Sequence, residues 1–90
     1  MNLLLVEDEP NVVSVVTRGL TEEGFKVSVA PDGLIGKKMA LENQFDLVIL
    51  DIMLPHMSGI DFYQTLLNQQ IKIPTIFFKF LLLIFLKIST

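Results

Sequence analysis

Leu47-Val48-Ile49-Leu50-Asp51, taken together with Leu3-Leu4-Leu5-Val6-Glu7-Asp8, decides the fold. Each is a short, unbroken apolar run that ends in acid. Neither shows the alternation of a strand with one wet face, and continuous runs of this kind are what the central strands of a parallel sheet, covered on both sides, contain. If the two runs are neighbours, the carboxylates of Glu7, Asp8 and Asp51 meet at one rim, where their mutual repulsion calls for a bound cation.

Working outward, Pro10 is well placed for a first helical turn, and Val12, Val13, Val16 and Leu20 recur at spacings of three and four. The spacing predicts a helix over residues 11–23, stopped by Gly24. Phe25-Lys26-Val27-Ser28-Val29 alternates as a strand does before the turn Pro31-Asp32-Gly33. A second helix is expected over residues 34–42, with Ile35 and Met39 one turn apart and Ala40 beside them. After the loop 51–59, the spacing of Ile60, Tyr63, Leu66 and Leu67 marks a third helix, and residues 73–78 read as a fourth strand. The order βαβαβαβ implies right-handed crossovers, a doubly wound parallel sheet, and ligands at the carboxyl ends of strands near the switch point of the strand order. Both acidic clusters fall at such ends.

Composition narrows the function. Ninety residues fit one small domain with a modest core. There is no cysteine, which excludes disulfide scaffolds, thiolate metal sites and a Cys nucleophile. The N-terminal apolar run meets Glu7 too soon to be a signal-peptide core, so a cytoplasmic location is expected. Net charge is −3, with Lys37-Lys38 the one adjacent basic pair, so the electrostatic footprint of a nucleic-acid binder is missing. Mean hydropathy is +0.57, and most of the excess lies after Ile71. The apolar stretch 76–88 is broken by Lys79 and Lys87 and is shorter than the ~20 residues a helix needs to cross a bilayer.

A carboxylate can accept a phosphoryl group as an acyl phosphate if the charge on the transferring oxygens is neutralised. Mg²⁺ does this with a few carboxylate or carbonyl oxygens and water. Asp8 is the natural direct ligand, with Glu7 acting through water. Asp51 serves as phosphoacceptor and ligand, and the Met53 main-chain carbonyl lies two residues further on. Pro55 and Gly59 shape the loop, the latter through positive φ or close approach. The same residues have a plainer reading: an Asp at a strand end is often a turn former or helix cap, and Glu7-Asp8-Glu9 favours the positive end of a helix. His56 has no His or Cys partner and is expected in solvent. Tyr63, Met39, Met53 and Met57 are expected to pack or lie in loops.

Leu-Leu-Val-Glu-Asp-Glu-Pro at residues 4–10, Leu-Val-Ile-Leu-Asp-Ile-Met-Leu-Pro at 47–55 and Ser-Gly-Ile-Asp at 58–61 together resemble one family. The chain is similar to the receiver domains of two-component response regulators, most closely those attached to winged-helix transcription factors. The resemblance covers residues 2–78. It implies the flavodoxin-like receiver fold with strand order 2-1-3-4-5, here incomplete, with four strands and three helices. It also implies phosphorylation of Asp51 by a phosphohistidine of a sensor histidine kinase, and Mg²⁺ held by Glu7, Asp8, Asp51 and the Met53 carbonyl. The expected role is regulation of transcription in full-length relatives rather than enzymatic turnover.

The resemblance fails at its C-terminal end. Where the family has a Ser or Thr hydroxyl after the fourth strand, Lys79 stands; Thr75 comes too early, and Lys87 is not followed by the family's Pro. The chain is therefore expected to divide into a partial receiver domain at 1–78 and an apolar tail at 79–90 that resembles a shifted or shortened reading frame. Phosphorylation and output are expected to be impaired, and apolar surface left uncovered would promote self-association. Three other readings remain open: an inert fragment; an aspartate-nucleophile phosphatase of the haloacid-dehalogenase type, which wants a second acid where Met53 stands; and an FMN module, whose phosphate Glu7-Asp8-Glu9 would repel.

Overall fold

The computed structural model describes residues 1–77. Along them run β1 (Asn2–Val6), α1 (Pro10–Glu22), β2 (Lys26–Ala30), α2 (Gly33–Glu42), β3 (Leu47–Leu50), α3 (Gly59–Asn68) and β4 (Thr75–Phe77). The strands form one sheet in the order β2-β1-β3-β4, with every pairing parallel. This is the doubly wound, flavodoxin-like arrangement expected from the alternation of elements. The strand order reverses between β1 and β3, which places the switch point where the two acid-tipped runs end.

Period two along the strands sorts the core into two layers. Leu4, Val6, Val48 and Leu50 point to one face, where Ala40 of α2 and Phe62 and Leu66 of α3 cover them. Leu3, Leu5 and Ile49 point to the other, against Val13, Val16 and Leu20 of α1. The central strands are buried on both faces, which is why their sequences show no alternation. By its register with Ile49, Ile76 of β4 lies on the α1 side, where it is 48% exposed.

Local chemistry sets the element ends. Gly24 adopts φ +89° after α1, the left-handed geometry that a glycine stop supplies. Asp32 caps α2, its Oδ1 accepting from the Ile35 amide at 2.9 Å. Ser58 caps α3, its Oγ accepting from the Asp61 amide at 3.1 Å.

Two helix faces differ from expectation. Ala40 is buried and Met39 packs against the core as expected, but Ile35 is 42% exposed, and Gly33 and Gly36 are the other residues that α2 turns inward. In α3, Ile60 is 62% exposed and Leu67 40%, while Gly59, Phe62 and Leu66 are buried. In α2 the cause is close approach: a Cβ on Gly36 would lie 3.0 Å from Phe62 and 3.1 Å from Val6, so this helix presents small residues where large ones would not fit, while in α3 the large Phe62 takes the inward position. β4 begins at Thr75, later than the stretch 73–78 suggested, and residue 78 lies outside the described residues. Lys79, Lys87 and the rest of the apolar tail lie outside the described residues.

Candidate functional site

The rim is assembled from the two central strands. β1 and β3 pair in register from Leu3↔Leu47 to Val6↔Leu50, so the residues immediately after them emerge side by side. The Asp51 amide donates to the Val6 carbonyl at 3.2 Å, extending the ladder one step past the strand, and the Glu7 amide donates to the Ala30 carbonyl at 2.9 Å. The acids are thus held by backbone bonds on both sides of β1.

One carboxylate oxygen from each of Glu7, Asp8 and Asp51 lies within 4.8 Å of the others. Glu7 and Asp51 are each only 1% exposed, whereas Asp8 faces solvent. Glu7 Oε1 accepts from the Glu9 amide at 3.0 Å, and Asp51 Oδ1 accepts from the Met53 amide at 3.0 Å. Each buried acid therefore performs the plain turn-forming task and also presents carboxylate to the shared hollow. Bringing three carboxylates so close is electrostatically unfavourable, and the two buried ones feel it most because water screens them least.

The donor set suits a hard divalent cation. Three carboxylate oxygens within 4.8 Å of one another are the hard, anionic donors that Mg²⁺ prefers. Two of the acids are buried and Asp8 stands on the solvent side.

The structure brings Glu7, Asp8 and Asp51 together as the sequence suggested. The Met53 side chain is 79% exposed, and the contact it makes to Asp51 is through its amide. His56 is exposed, with φ +67°, and belongs to no metal-ligating group among the described residues. Thr75 Oγ1 donates to the Ile73 carbonyl at 3.0 Å. Two cavities among the described residues, about 320 Å³ between Asn2, Lys26 and Asn43 and about 280 Å³ beside Phe45 and Ile71, lie at the opposite, amino end of the strands.

One residue escaped the sequence reading in its full role. Gly59 opens α3 and is buried, and a Cβ there would collide with the Asp51 carbonyl oxygen and stand 2.8 Å from Ile52 Cα. Its φ is not positive, so of the two uses expected for this glycine, close approach is the one realised.

Residues 3–79 match the family described as the response regulator receiver domain. Among curated relatives, the chain is 48% identical over 66 residues to the transcriptional regulatory protein CusR of Escherichia coli, covering 73% of this chain and 29% of CusR. It is 46% identical over the same length to the probable transcriptional regulatory protein SilR of Salmonella typhimurium, with the same shares covered. The chain thus spans about three-tenths of these relatives. Among solved structures, it superposes with a TM-score of 0.80 and 32% identity on the response regulator TrrA of Thermotoga maritima in complex with Mg²⁺ and BeF, over 84% of this chain and 66% of that one.

Proposed function

The chain belongs to the response regulator receiver domain family, and on that premise we propose that Asp51 is a phosphoacceptor whose chemistry is supported by Mg²⁺. The observation that carries this is the meeting of three carboxylates, from the ends of two adjacent parallel strands, within 4.8 Å. Glu7, Asp8, Asp51 and the main-chain carbonyl of Met53 are the proposed metal ligands. When bound, the ion neutralises charge on the phosphoryl oxygens.

The residues of the chain do the rest. The Met53 amide fixes the Asp51 carboxylate through Oδ1, and burial keeps the approach side of that carboxylate from wandering. An Asp51 oxygen attacks phosphorus of a phosphohistidine on a sensor kinase. The P–O bond forms as the P–N bond breaks, and the electron pair returns to the imidazole nitrogen, so that a ring protonated on its other nitrogen leaves as neutral imidazole. The product is an acyl phosphate on Asp51, with no net turnover of a substrate, so the role is signalling and not enzymatic. The exposed, non-acidic Met53 side chain offers no general acid two residues after Asp51, which disfavours phosphatase chemistry.

Residues 1–78 form the receiver portion of this proposal and 79–90 a tail outside the family pattern. Full-length relatives would couple the acyl phosphate to transcription; in this chain Lys79 in place of a hydroxyl removes a partner for the phosphoryl oxygens, so transfer is slowed and output impaired. The chain would then act in the cytoplasm with the kinase as partner and without direct contact to DNA. No helix among the described residues is long and apolar enough to cross a membrane.

Incubation with acetyl phosphate and Mg²⁺, followed by intact-mass measurement, tests it. A phosphoryl adduct that forms slowly in the wild type and never in Asp51→Asn is expected. No adduct in the wild type under any Mg²⁺ concentration would favour the inert-fragment reading.

A further inference from the structure

We infer that Gly59 is a positioning residue for Asp51: by lacking a side chain it lets the first turn of α3 press against the Asp51–Ile52 backbone and so sets where the acceptor carboxylate stands. The inference rests on the reading of Asp51 as phosphoacceptor and metal ligand. Gly59 donates its amide to the Ile52 carbonyl at 2.7 Å, a short bond that closes the loop 51–59 onto itself. A Cβ at this position would strike the Asp51 carbonyl oxygen, lie 2.8 Å from Ile52 Cα and 3.0 Å from the Asp51 carbonyl carbon. All three are backbone atoms, so no side-chain rotamer change relieves the clash; the backbone at Asp51 or the start of α3 has to move.

The consequence falls on the site because the carboxylate has little slack. Asp51 Oδ1 is tied to the Met53 amide at 3.0 Å, and the Asp51 amide to Val6 at 3.2 Å. Displacing the peptide between those two ties swings the carboxylate relative to Glu7 and Asp8, whose own positions are set from β1. Gly36 provides the contrast. A Cβ there meets the side chains of Phe62 at 3.0 Å and Val6 at 3.1 Å, in the core between α2 and α3, so its substitution strains packing without touching the peptide of Asp51.

The test compares full-length Gly59→Ala and Gly36→Ala with the wild type by two readouts. One is Mn²⁺ affinity, followed by the loss of the free-ion paramagnetic resonance signal. The other is the exchange rate of the Met53 amide relative to that of Val48, which bonds to Pro74 within the sheet at 2.9 Å. Gly59→Ala is expected to weaken Mn²⁺ binding about 10–100-fold, the usual penalty for disturbing a group that orients a ligand, and to speed Met53 exchange relative to Val48 by about tenfold. Gly36→Ala should lower the melting temperature yet leave both readouts within about twofold. Wild-type values in a folded Gly59→Ala protein, or equal effects from Gly36→Ala, would overturn the inference.

A wild type that binds no Mn²⁺, while Gly59→Ala still speeds Met53 exchange, would sink the metal reading and sustain the positioning one. If Gly59→Ala does not fold, Ser58→Ala loosens the same helix start without a clash. Faster Met53 exchange then supports the role, and unchanged exchange contradicts it.

Discussion

Replacing Asp51 by Asn should make the metal-free protein more stable, because the site stores like-charge repulsion. Asn keeps an oxygen to accept the Met53 amide, so the 3.0 Å bond survives and the main change is loss of one negative charge. Glu7 and Asp51 are both 1% exposed, and two unit charges no farther apart than 4.8 Å repel by ~3 kcal/mol or more at an effective dielectric of about 20, before the offset from the other groups they touch. Asp8 is solvated and contributes about 1 kcal/mol at most, with a dielectric nearer that of water. Allowing for relaxation of the carboxylates away from each other, a net gain of about 2 kcal/mol is expected. In a domain of this size that raises the melting temperature by roughly 8–16 °C.

Mg²⁺ should reverse the comparison. Binding at a hundredfold the Kd adds about 2.7 kcal/mol to a protein that holds the ion only when folded, and Asn at position 51 removes a ligand charge from the site. Thermal melts followed by circular dichroism in EDTA and in saturating Mg²⁺ measure both effects. The variant should melt higher in EDTA, and the gap should close or invert with Mg²⁺. If Asp51→Asn melts at or below the wild type in EDTA, the three carboxylates are not a repulsive cluster and the cation argument loses its physical basis.

Other substitutions probe the frame around the site. Phe62→Ala empties a fully buried position that seals α3 against Gly36 and Val6, and should cost about 3–5 kcal/mol in urea denaturation. Asp32→Ala removes the α2 cap and should cost about 1 kcal/mol by the same assay. His56→Gly should stabilise by about 0.5–1 kcal/mol, since His56 sits at φ +67° and a glycine relieves that strain more than it loosens the unfolded chain; unchanged metal affinity is expected alongside. Ile76→Lys, on a side chain 48% exposed on the α1 side of the sheet, should reduce self-association measured by light scattering.

The strands and the acid rim were legible because each rests on a strong signal. Leu47–Leu50 is continuous in apolar residues and observed at the bounds expected, and the same logic places β1. Ile35 and Ile60 lie outside the inner faces that spacing suggests: in α3 Phe62 and Leu66 take the inward positions, and in α2, which lies close to its neighbours, most of the buried positions are small. Gly33, Gly36 and Ala40 repeat at three and four, a helical period carried by absence of volume. The dual task of Asp51 was hidden for a different reason. Turn former and candidate ligand looked like competing readings, yet a carboxylate has two oxygens, and one can accept the Met53 amide while the group as a whole faces the shared hollow.

The placement of the acids on β1 and β3 has a consequence for which defects the site tolerates. β1 has a hydrogen-bonded neighbour on each side, paired over Asn2–Val6 with β2 and over Leu3–Val6 with β3, and its two faces are closed by α1 and by α2 with α3. β4 contributes three pairs, from Val48↔Thr75 to Leu50↔Phe77, with Ile76 and Phe77 both exposed. Among the described residues β4 is the edge of the sheet, and opening there costs less than opening the centre, so the sheet can fray at β4 while the strands that carry Glu7, Asp8 and Asp51 stay paired. Cation binding, built on the centre, should therefore outlast any change transmitted through the edge. Amide exchange would show Leu5 protected to nearly the global limit and Ile76 well below it, with Val48, whose amide bonds to Pro74 beside β4, following the edge; Mg²⁺ should deepen protection at Glu7 and Asp51 without slowing exchange at Ile76.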